Sequence, residues 1–278
     1  VDRSVEFYSR LVGEYPYPQA RAVQSALSAG GGMEYPMITV IGLMGNPQSL
    51  DEVITHEVGH NWFYGILGFN ERDHVWMDEG LNSYYDHRYT DDYYKGLSIS
   101  LPKIIAGDTK MSILEAGYLL QARRHENQAP ATHSNQFRPV NYWLGGYEIP
   151  ARLFRHLEHY LGTENFDPIM LSFYKTWEFK HPGPKDLRTH FEKESGKDLS
   201  WLFDDFIGTA KTMDYAVTDL KTGNDFEVTV KNVGDIAAPF PLSAIKDSMI
   251  INTIWYDGFE GSQSVVFPKG DYDEIILD

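Results

Sequence analysis

Two histidines four positions apart, His56 and His60, limit most strongly what this chain can fold into. They stand in the segment HEVGH, and a helix that turns about 100° per residue places them on one face, a turn apart. Glu57 then points to the side of that face. Ser49, three residues before Glu52, is a capping-box signature at the start of the same segment. The sequence therefore predicts a helix whose two imidazoles can grip one ion.

A third ligand follows at Glu79, in the segment WMDEG, after eighteen intervening residues. Catalytic zinc typically takes three protein ligands and keeps a fourth position for water. The predicted metal set is therefore one Zn²⁺ per chain held by His56, His60 and Glu79, with Glu57 free to act on the water. For the pentapeptide by itself, a surface helix with two solvated histidines is the alternative.

Four separated motifs in this order resemble the aminopeptidase N family of gluzincin metallopeptidases. The family's Gly-x-Met-Glu-Asn motif is matched by Gly31-Gly32-Met33-Glu34-Tyr35, with tyrosine in place of asparagine. The zinc helix and the third ligand are the next two matches. The family's Tyr-Glu-Lys-Gly segment is matched by Tyr147 to Pro150, where Ile149-Pro150 replaces Lys-Gly. The resemblance covers roughly residues 1–212.

The resemblance implies roles for residues outside the metal set. Tyr147 would donate a hydrogen bond to the oxyanion of the tetrahedral intermediate. Tyr142, five residues earlier, is the competing candidate, and a buried packing tyrosine is the alternative for either.

The glycine-rich stretch from Ala29 to Pro36 is expected to bind substrate. Its residues Gly31, Gly32, Met33 and Glu34 would let a peptide backbone come close, and a strand from Met33 to Ile41 would align that backbone by β-augmentation. Glu34 would pair with the free α-ammonium of the substrate. A solvated carboxylate on an edge strand is the alternative for Glu34.

The expected fold class is α+β. The resemblance implies that residues 1–212 form a thermolysin-like, mainly helical zinc peptidase domain with a small edge sheet. Residues 213–278 contain short β-like runs separated by turns such as Thr222-Gly223-Asn224-Asp225, and predict a small β-sandwich. The family's N-terminal β domain is expected to be absent.

The composition of the chain argues against several classes of partner and site. A net charge of −16 argues against nucleic acid, whose phosphates would be repelled. No apolar run approaches the ~18 residues that span a bilayer, so a soluble protein is expected. The absence of cysteine excludes disulfides and thiolate metal sites. The compartment stays open, with a periplasmic or secreted location by family analogy, and so does the oligomeric state.

The predicted function is a zinc-dependent aminopeptidase that hydrolyses the N-terminal residue from peptides with a free N terminus. A zinc endopeptidase and a catalytically silent metal-binding scaffold are the alternatives. His74 and His87 flank Glu79 and are interpreted as structural or supporting histidines rather than ligands. Asp78 either orients a zinc ligand or caps the helix that follows it.

Overall fold

The computed structural model describes residues 1–28, 31–94 and 113–277. They form two compact units, Val1–Leu199 and Ser200–Asp278. The first unit combines helices with one small sheet and the second consists mainly of strands, which confirms the mixed α+β class. The domain boundary predicted between residues 212 and 213 stays a prediction. Of the glycine-rich stretch, Ala29 and Gly30 lie outside the described residues.

Helices make up most of the described part of the first unit. They are α1 (Asp2–Leu11), α2 (Pro47–Gly59), α3 (Leu81–Tyr94), α4 (Ile113–Arg123), α5 (Pro139–Trp143), α6 (Ile149–Leu161), α7 (Thr163–Trp177) and α8 (Pro184–Ser195). A 3₁₀ turn spans Ser134–Gln136. Two π-helical turns, π1 (Trp76–Gly80) and π2 (Leu144–Glu148), run directly into α3 and α6.

Helix α2 carries the HEVGH segment up to Gly59, and His60 is its C-cap with helical backbone angles. The helix begins earlier than the sequence signature indicated. Asn46 is its N-cap, and the side-chain Oδ1 of Asn46 accepts a hydrogen bond from the backbone N–H of Ser49 at 2.9 Å. Pro47 occupies the first turn, where its fixed φ suits a helix and its missing N–H costs nothing. The predicted cap at Ser49 is therefore wrong.

The small sheet has the strand order β1-β3-β2, formed by β1 (Arg21–Gln24), β2 (Gly32–Met33) and β3 (Ile38–Ile41). Strand β1 pairs with β3 in parallel, and β2 pairs with β3 antiparallel. The single strand predicted from Met33 to Ile41 is thus a hairpin. The chain turns at Pro36 and Met37, where Met37 has a φ of 65° and proline is poorly suited to a paired strand. This turn leaves β2 at the edge of the sheet.

An aromatic core holds α1, α2 and α3 together. Tyr8 of α1 is fully buried, and its ring lies 5.2 Å from that of Trp62 and 5.8 Å from that of Tyr85. The Tyr8 hydroxyl donates to Oδ1 of Asn82 at 2.8 Å, and Nδ2 of Asn82 donates to the backbone carbonyl of His56 at 2.7 Å. Helix α3 is thereby fixed against the end of α2 that carries the histidines.

The second unit contains one π-helical segment, π3 (Trp201–Ile207), followed by strands in two sheets. The strands are β4 (Tyr215–Thr222), β5 (Phe226–Asn232), β6 (Phe240–Lys246), β7 (Met249–Tyr256), β8 (Ser262–Phe267) and β9 (Glu274–Leu277). The sheet orders are β4-β5-β8 and β7-β6-β9. Val230 and Leu242, one from each sheet, are fully buried in a shared apolar cluster.

No helix within residues 1–28, 31–94 and 113–277 is long and apolar enough to cross a membrane.

Candidate metal centre

Three side-chain atoms meet at the end of α2. Nε2 of His56 and Nε2 of His60 lie 3.2 Å apart. Oε2 of Glu79, which π1 brings to the same point, lies 3.3 Å from Nε2 of His56 and 3.2 Å from Nε2 of His60. The three predicted ligands therefore form a nearly equilateral triangle of donor atoms.

This triangle has the size that zinc requires. Zinc bound tetrahedrally at about 2.0–2.1 Å keeps its ligand atoms about 3.3–3.4 Å apart. Oε2 of Glu79 is buried and has no hydrogen bond among the described residues, which is costly for a carboxylate oxygen unless a cation faces it. The ligand atoms lie close enough to one another for a single metal ion to contact His56, His60 and Glu79. The residues present therefore fit a zinc ion.

Carboxylates behind the histidines hold the rings in place. Nδ1 of His56 lies 2.6 Å from Oδ2 of Asp86, and Nδ1 of His60 lies 2.8 Å from Oδ1 of Asp78. A carboxylate on Nδ1 keeps the proton there and leaves Nε2 as the free lone pair for a metal. Asp78 thus contacts His60, as expected if Asp78 orients a zinc ligand.

Sequence reasoning missed Asp86. It follows Glu79 by seven residues on a continuous helical run, and seven residues are about two helical turns, so the two side chains share a face. This spacing was the available signal, because a carboxylate two turns beyond a ligand can reach the back of the same site.

Charge is concentrated at this site. Burial would lower the pKa of His56, but the Asp86 carboxylate outweighs burial and raises this pKa to about 10. Burial likewise opposes protonation of His60, whose pKa is nevertheless raised well above its usual value by Asp78 and Glu79. Despite burial, His60 and His56 hold the pKa of Glu79 well below its usual range. A divalent cation that binds such a site displaces protons from it.

Glu57 has the environment of a general base. Its side chain is buried, and burial raises its pKa to about 7, with the carboxylates of Glu34 and Glu79 adding to the rise and the two imidazoles opposing it. A carboxylate with a pKa near neutrality can take up and return a proton under physiological conditions.

The edge strand β2 lies directly against Glu57. A Cβ added at Gly32 would stand 2.3 Å from Oε1 and 2.4 Å from Cγ of Glu57, closer than any side chain tolerates. Of the predicted substrate residues Gly31, Gly32, Met33 and Glu34, Gly32 is therefore the one in direct contact with Glu57, and its missing side chain leaves room for this carboxylate. Glu34 directly follows β2 and is half-buried.

Tyr147 reaches the ligand carboxylate from π2. Its hydroxyl donates to Oε1 of Glu79 at 2.5 Å, and its ring stacks 6.2 Å from that of His56. Burial and the adjacent Glu79 raise the pKa of Tyr147 far above its usual value, so the hydroxyl remains a donor. The ring of the competing Tyr142 lies 5.9 Å from that of Tyr147, which places both tyrosines at the site.

The flanking histidines stand apart from the donor triangle. Nε2 of His87 lies 3.5 Å from Oε2 of Glu148. Nδ1 of His74 is buried without a hydrogen-bond partner among the described residues. Neither belongs to the metal-binding group found in the described ranges.

The chain is similar to peptidases of one family over most of its length. A model of the peptidase family M1 domain matches residues 2–206. Aminopeptidase M1-C of Oryza sativa subsp. japonica is 25% identical over 239 residues, which are 81% of this chain and 26% of that protein. Aminopeptidase N of Bos taurus is 21% identical over 294 residues, covering 95% of this chain and 30% of its own length. The chain thus spans about a quarter to a third of these curated relatives.

Solved structures show the same fold. A crystal structure of Legionella pneumophila aminopeptidase A in complex with aspartic acid superposes with a TM-score of 0.68 at 16% identity, over 95% of this chain and 31% of the other. A mutant M1 zinc metallopeptidase from Deinococcus radiodurans gives a TM-score of 0.52 at 16% identity, over 74% of this chain and 43% of the other.

Proposed function

Because the chain belongs to peptidase family M1, we propose that it is a zinc-dependent aminopeptidase that hydrolyses the N-terminal residue from peptides. The observation that carries the proposal is the triangle of donor atoms from His56, His60 and Glu79, with edges of 3.2–3.3 Å. We also propose that the chain folds into a thermolysin-like catalytic domain followed by a small β-sandwich, with the domain boundary between residues 212 and 213.

Zinc held by His56, His60 and Glu79 would supply Lewis acidity and a water of lowered pKa. Glu57 would accept a proton from the water that attacks the scissile carbonyl. The same carboxyl group then returns the proton to the departing amine. Burial, which raises the pKa of Glu57, strengthens this carboxylate as a proton acceptor.

Tyr147 stabilises the charge that develops on the carbonyl oxygen. Its hydroxyl, 2.5 Å from Oε1 of Glu79, is protonated at neutral pH and already lies in the site. The hydroxyl has one proton, so it turns from Oε1 of Glu79 to the oxyanion as the charge develops. This donation is strongest in the transition state, so it lowers the barrier more than it strengthens substrate binding.

Glu34 makes the reaction an exopeptidase reaction. As a carboxylate near Glu57 that follows the edge strand β2, it can pair with the free α-ammonium of a peptide and so determine which bond reaches the base. The open edge of β2 supports the proposal, since it can pair with the first residues of an extended peptide.

The test compares hydrolysis of free and N-acetylated aminoacyl reporters by zinc-loaded protein and by its Glu57→Gln and Glu34→Gln variants. Glu57→Gln is expected to retain zinc and to lower kcat by at least about 10²-fold. Glu34→Gln is expected to raise KM for the free amine. Glu52→Gln is the matched control, because Glu52 lies on α2 and pairs with Gln48.

Three outcomes would contradict the proposal in different ways. Equal cleavage of acetylated and free reporters would favour an endopeptidase. Stoichiometric zinc without turnover would favour a metal-binding scaffold. No zinc binding at all would refute the interpretation of the donor triangle as a zinc site.

A further inference from the structure

Two π-helical turns carry the third metal ligand and the tyrosine that touches it. Glu79 lies in π1 and Tyr147 lies in π2. A π turn accommodates an extra residue within a helix and is frequent at functional sites. The geometry of the Tyr147–Glu79 hydrogen bond therefore depends on how these two turns are held against each other.

The turns approach each other through residues that lack side chains. A Cβ at Gly80 would lie 2.5 Å from Cβ and 3.0 Å from Cγ of Pro150, and 3.1 Å from the carbonyl oxygen of Gly146. A Cβ at Gly146 would lie 2.8 Å from Cγ1 of Val75. Distances this short mean that neither glycine can be replaced without moving its neighbour.

Pro150 makes the main contact rigid. It is buried at the second position of α6, directly after π2. Its ring cannot rotate away as a flexible side chain could. Gly80 adjoins Glu79 and Pro150 lies three residues beyond Tyr147, so the contact is coupled to both functional side chains through short backbone segments.

The two oxygens of Glu79 have different neighbours. Oε1 accepts the hydrogen bond from the Tyr147 hydroxyl, while Oε2 faces the two Nε2 atoms of the histidines. A rotation of the carboxylate that weakens the first contact also turns Oε2 away from the histidines.

We propose that Gly80 and Pro150 are positioning residues, whose close contact holds the Tyr147 hydroxyl on Oε1 of Glu79 and thereby aims Oε2 at the metal. The inference rests on the proposed function in so far as Glu79 is a zinc ligand. Neither positioning residue touches the substrate.

Zinc affinity, measured by competition with a chromogenic chelator, tests this contact without turnover. Gly80→Ala is expected to weaken zinc binding about 10-fold, a typical loss when the support of a ligand is disturbed. Pro150→Gly removes the Cβ and ring that the new methyl group meets, so the double variant Gly80→Ala/Pro150→Gly should return to within about threefold of the original affinity.

Pro150→Ala is the matched control. It opens the proline ring but keeps the Cβ that lies 2.5 Å from the added methyl position. The double variant Gly80→Ala/Pro150→Ala is therefore expected to stay as weak as Gly80→Ala. Equal rescue by both replacements, or rescue by neither in folded protein, would overturn the proposal.

A double-mutant cycle with Tyr147→Phe tests whether Gly80 acts through the tyrosine. Once the hydroxyl has been removed, Gly80→Ala should cost much less zinc affinity than it does in the original chain. Fully additive losses would contradict this coupling. If Gly80→Ala does not fold, Gly146→Ala with its compensating Val75→Ala provides the second pair, and the same pattern of loss and rescue is expected.

These measurements separate the inference from the proposed function. A chain that binds zinc but cleaves no peptide would refute the aminopeptidase, while the rescue pattern would still decide the roles of Gly80 and Pro150.

Discussion

At the scale of single residues, chemistry and packing constrain neighbouring positions in different ways. The proposed metal site requires His56 and His60 at their positions, and their spacing allowed both to be predicted from the sequence. Gly32 is where packing needs it, since its missing side chain leaves room for Glu57. A glycine-rich approach to a substrate groove was predicted, whereas the contact between Gly32 and the base depends on the folded chain.

Replacing Gly32 by alanine should displace the base. The added Cβ would lie 2.3 Å from Oε1 of Glu57, and a displacement of about 1 Å at a reacting group can cost about 10²-fold in rate. We expect kcat to fall by about 10–100-fold with zinc content unchanged, as measured by steady-state kinetics and metal analysis. Gly45→Ala is the control, because a Cβ there meets nothing within 4 Å. An unchanged kcat would show that Glu57 tolerates the displacement.

Replacing Tyr147 by phenylalanine should reduce turnover more than binding. The hydroxyl at 2.5 Å from Glu79 is the proposed oxyanion donor, and loss of one such donor costs about 10²–10³-fold in kcat. At saturating zinc, KM for a free aminoacyl reporter should change by only a few-fold. Tyr142→Phe is the comparison, since its ring lies 5.9 Å from that of Tyr147. A larger loss in Tyr142→Phe would transfer the role to Tyr142.

At the scale of elements, the carboxylate of Asp51 links three helices away from the candidate metal centre. Asp51 of α2 accepts hydrogen bonds from the hydroxyls of Tyr89 and Tyr94 on α3, each at 2.8 Å. It also pairs with the guanidinium of Arg3 on α1. The helix that carries the histidines is thus anchored at its first turns as well as at its metal-binding end.

This anchor predicts a pH-dependent stability. Burial would raise the pKa of Asp51, but hydrogen bonds from Tyr89 and Tyr94 and the charge of Arg3 lower it. A carboxyl group with a lowered folded-state pKa stabilises the fold above its unfolded pKa of about 3.9, and the contribution is lost as pH falls through the folded value. Asp51→Asn should therefore lower the free energy of unfolding by about 1 kcal/mol at pH 7. The difference should shrink below about pH 4.

Denaturant unfolding at several pH values measures this difference. Asp92→Asn is the control, because Asp92 of α3 pairs with Arg10 of α1 but is 51% exposed. An exposed ion pair contributes little, so this variant should unfold like the original chain at every pH. A pH-independent loss in Asp51→Asn would mean that the carboxylate charge is not the cause.

At the scale of the whole molecule, the candidate metal centre belongs to one unit. All three proposed ligands lie in Val1–Leu199, and no such group was found in the described part of Ser200–Asp278. A ligand that binds only the folded state raises the free energy of unfolding of the unit that binds it. The increase is about 2.7 kcal/mol when the free ligand concentration is 100 times Kd.

Removal of zinc should therefore loosen the first unit selectively. After chelation, hydrogen exchange measured by mass spectrometry is expected to accelerate in α2 and α3, which hold the histidines and follow Glu79. Strands β5 and β6, in the apolar cluster of the second unit, should exchange as before. Equal acceleration in these strands would show that metal binding stabilises both units together.

The sequence by itself determined the histidine pair, Glu79 as a candidate third ligand after eighteen intervening residues, the helix of the HEVGH segment and the mixed α+β class. These properties are local or periodic, because helical spacing follows from backbone geometry and metal coordination restricts the residue types. The start of α2 was misjudged although it is local, since Asn46 and Pro47 form a better helix start than Ser49.

Only the tertiary structure decided which distant groups meet. It brought Asp86 behind His56, turned β2 back along β3 so that Gly32 lies against Glu57, and packed Gly80 onto Pro150. Such contacts join residues separated by 25 or more positions along the chain. They arise from close packing of whole elements, in which one added methyl group is felt. For Asp86 the spacing of seven residues from Glu79 was a signal in the sequence, whereas the contacts of Gly32 and Gly80 follow from no periodic pattern.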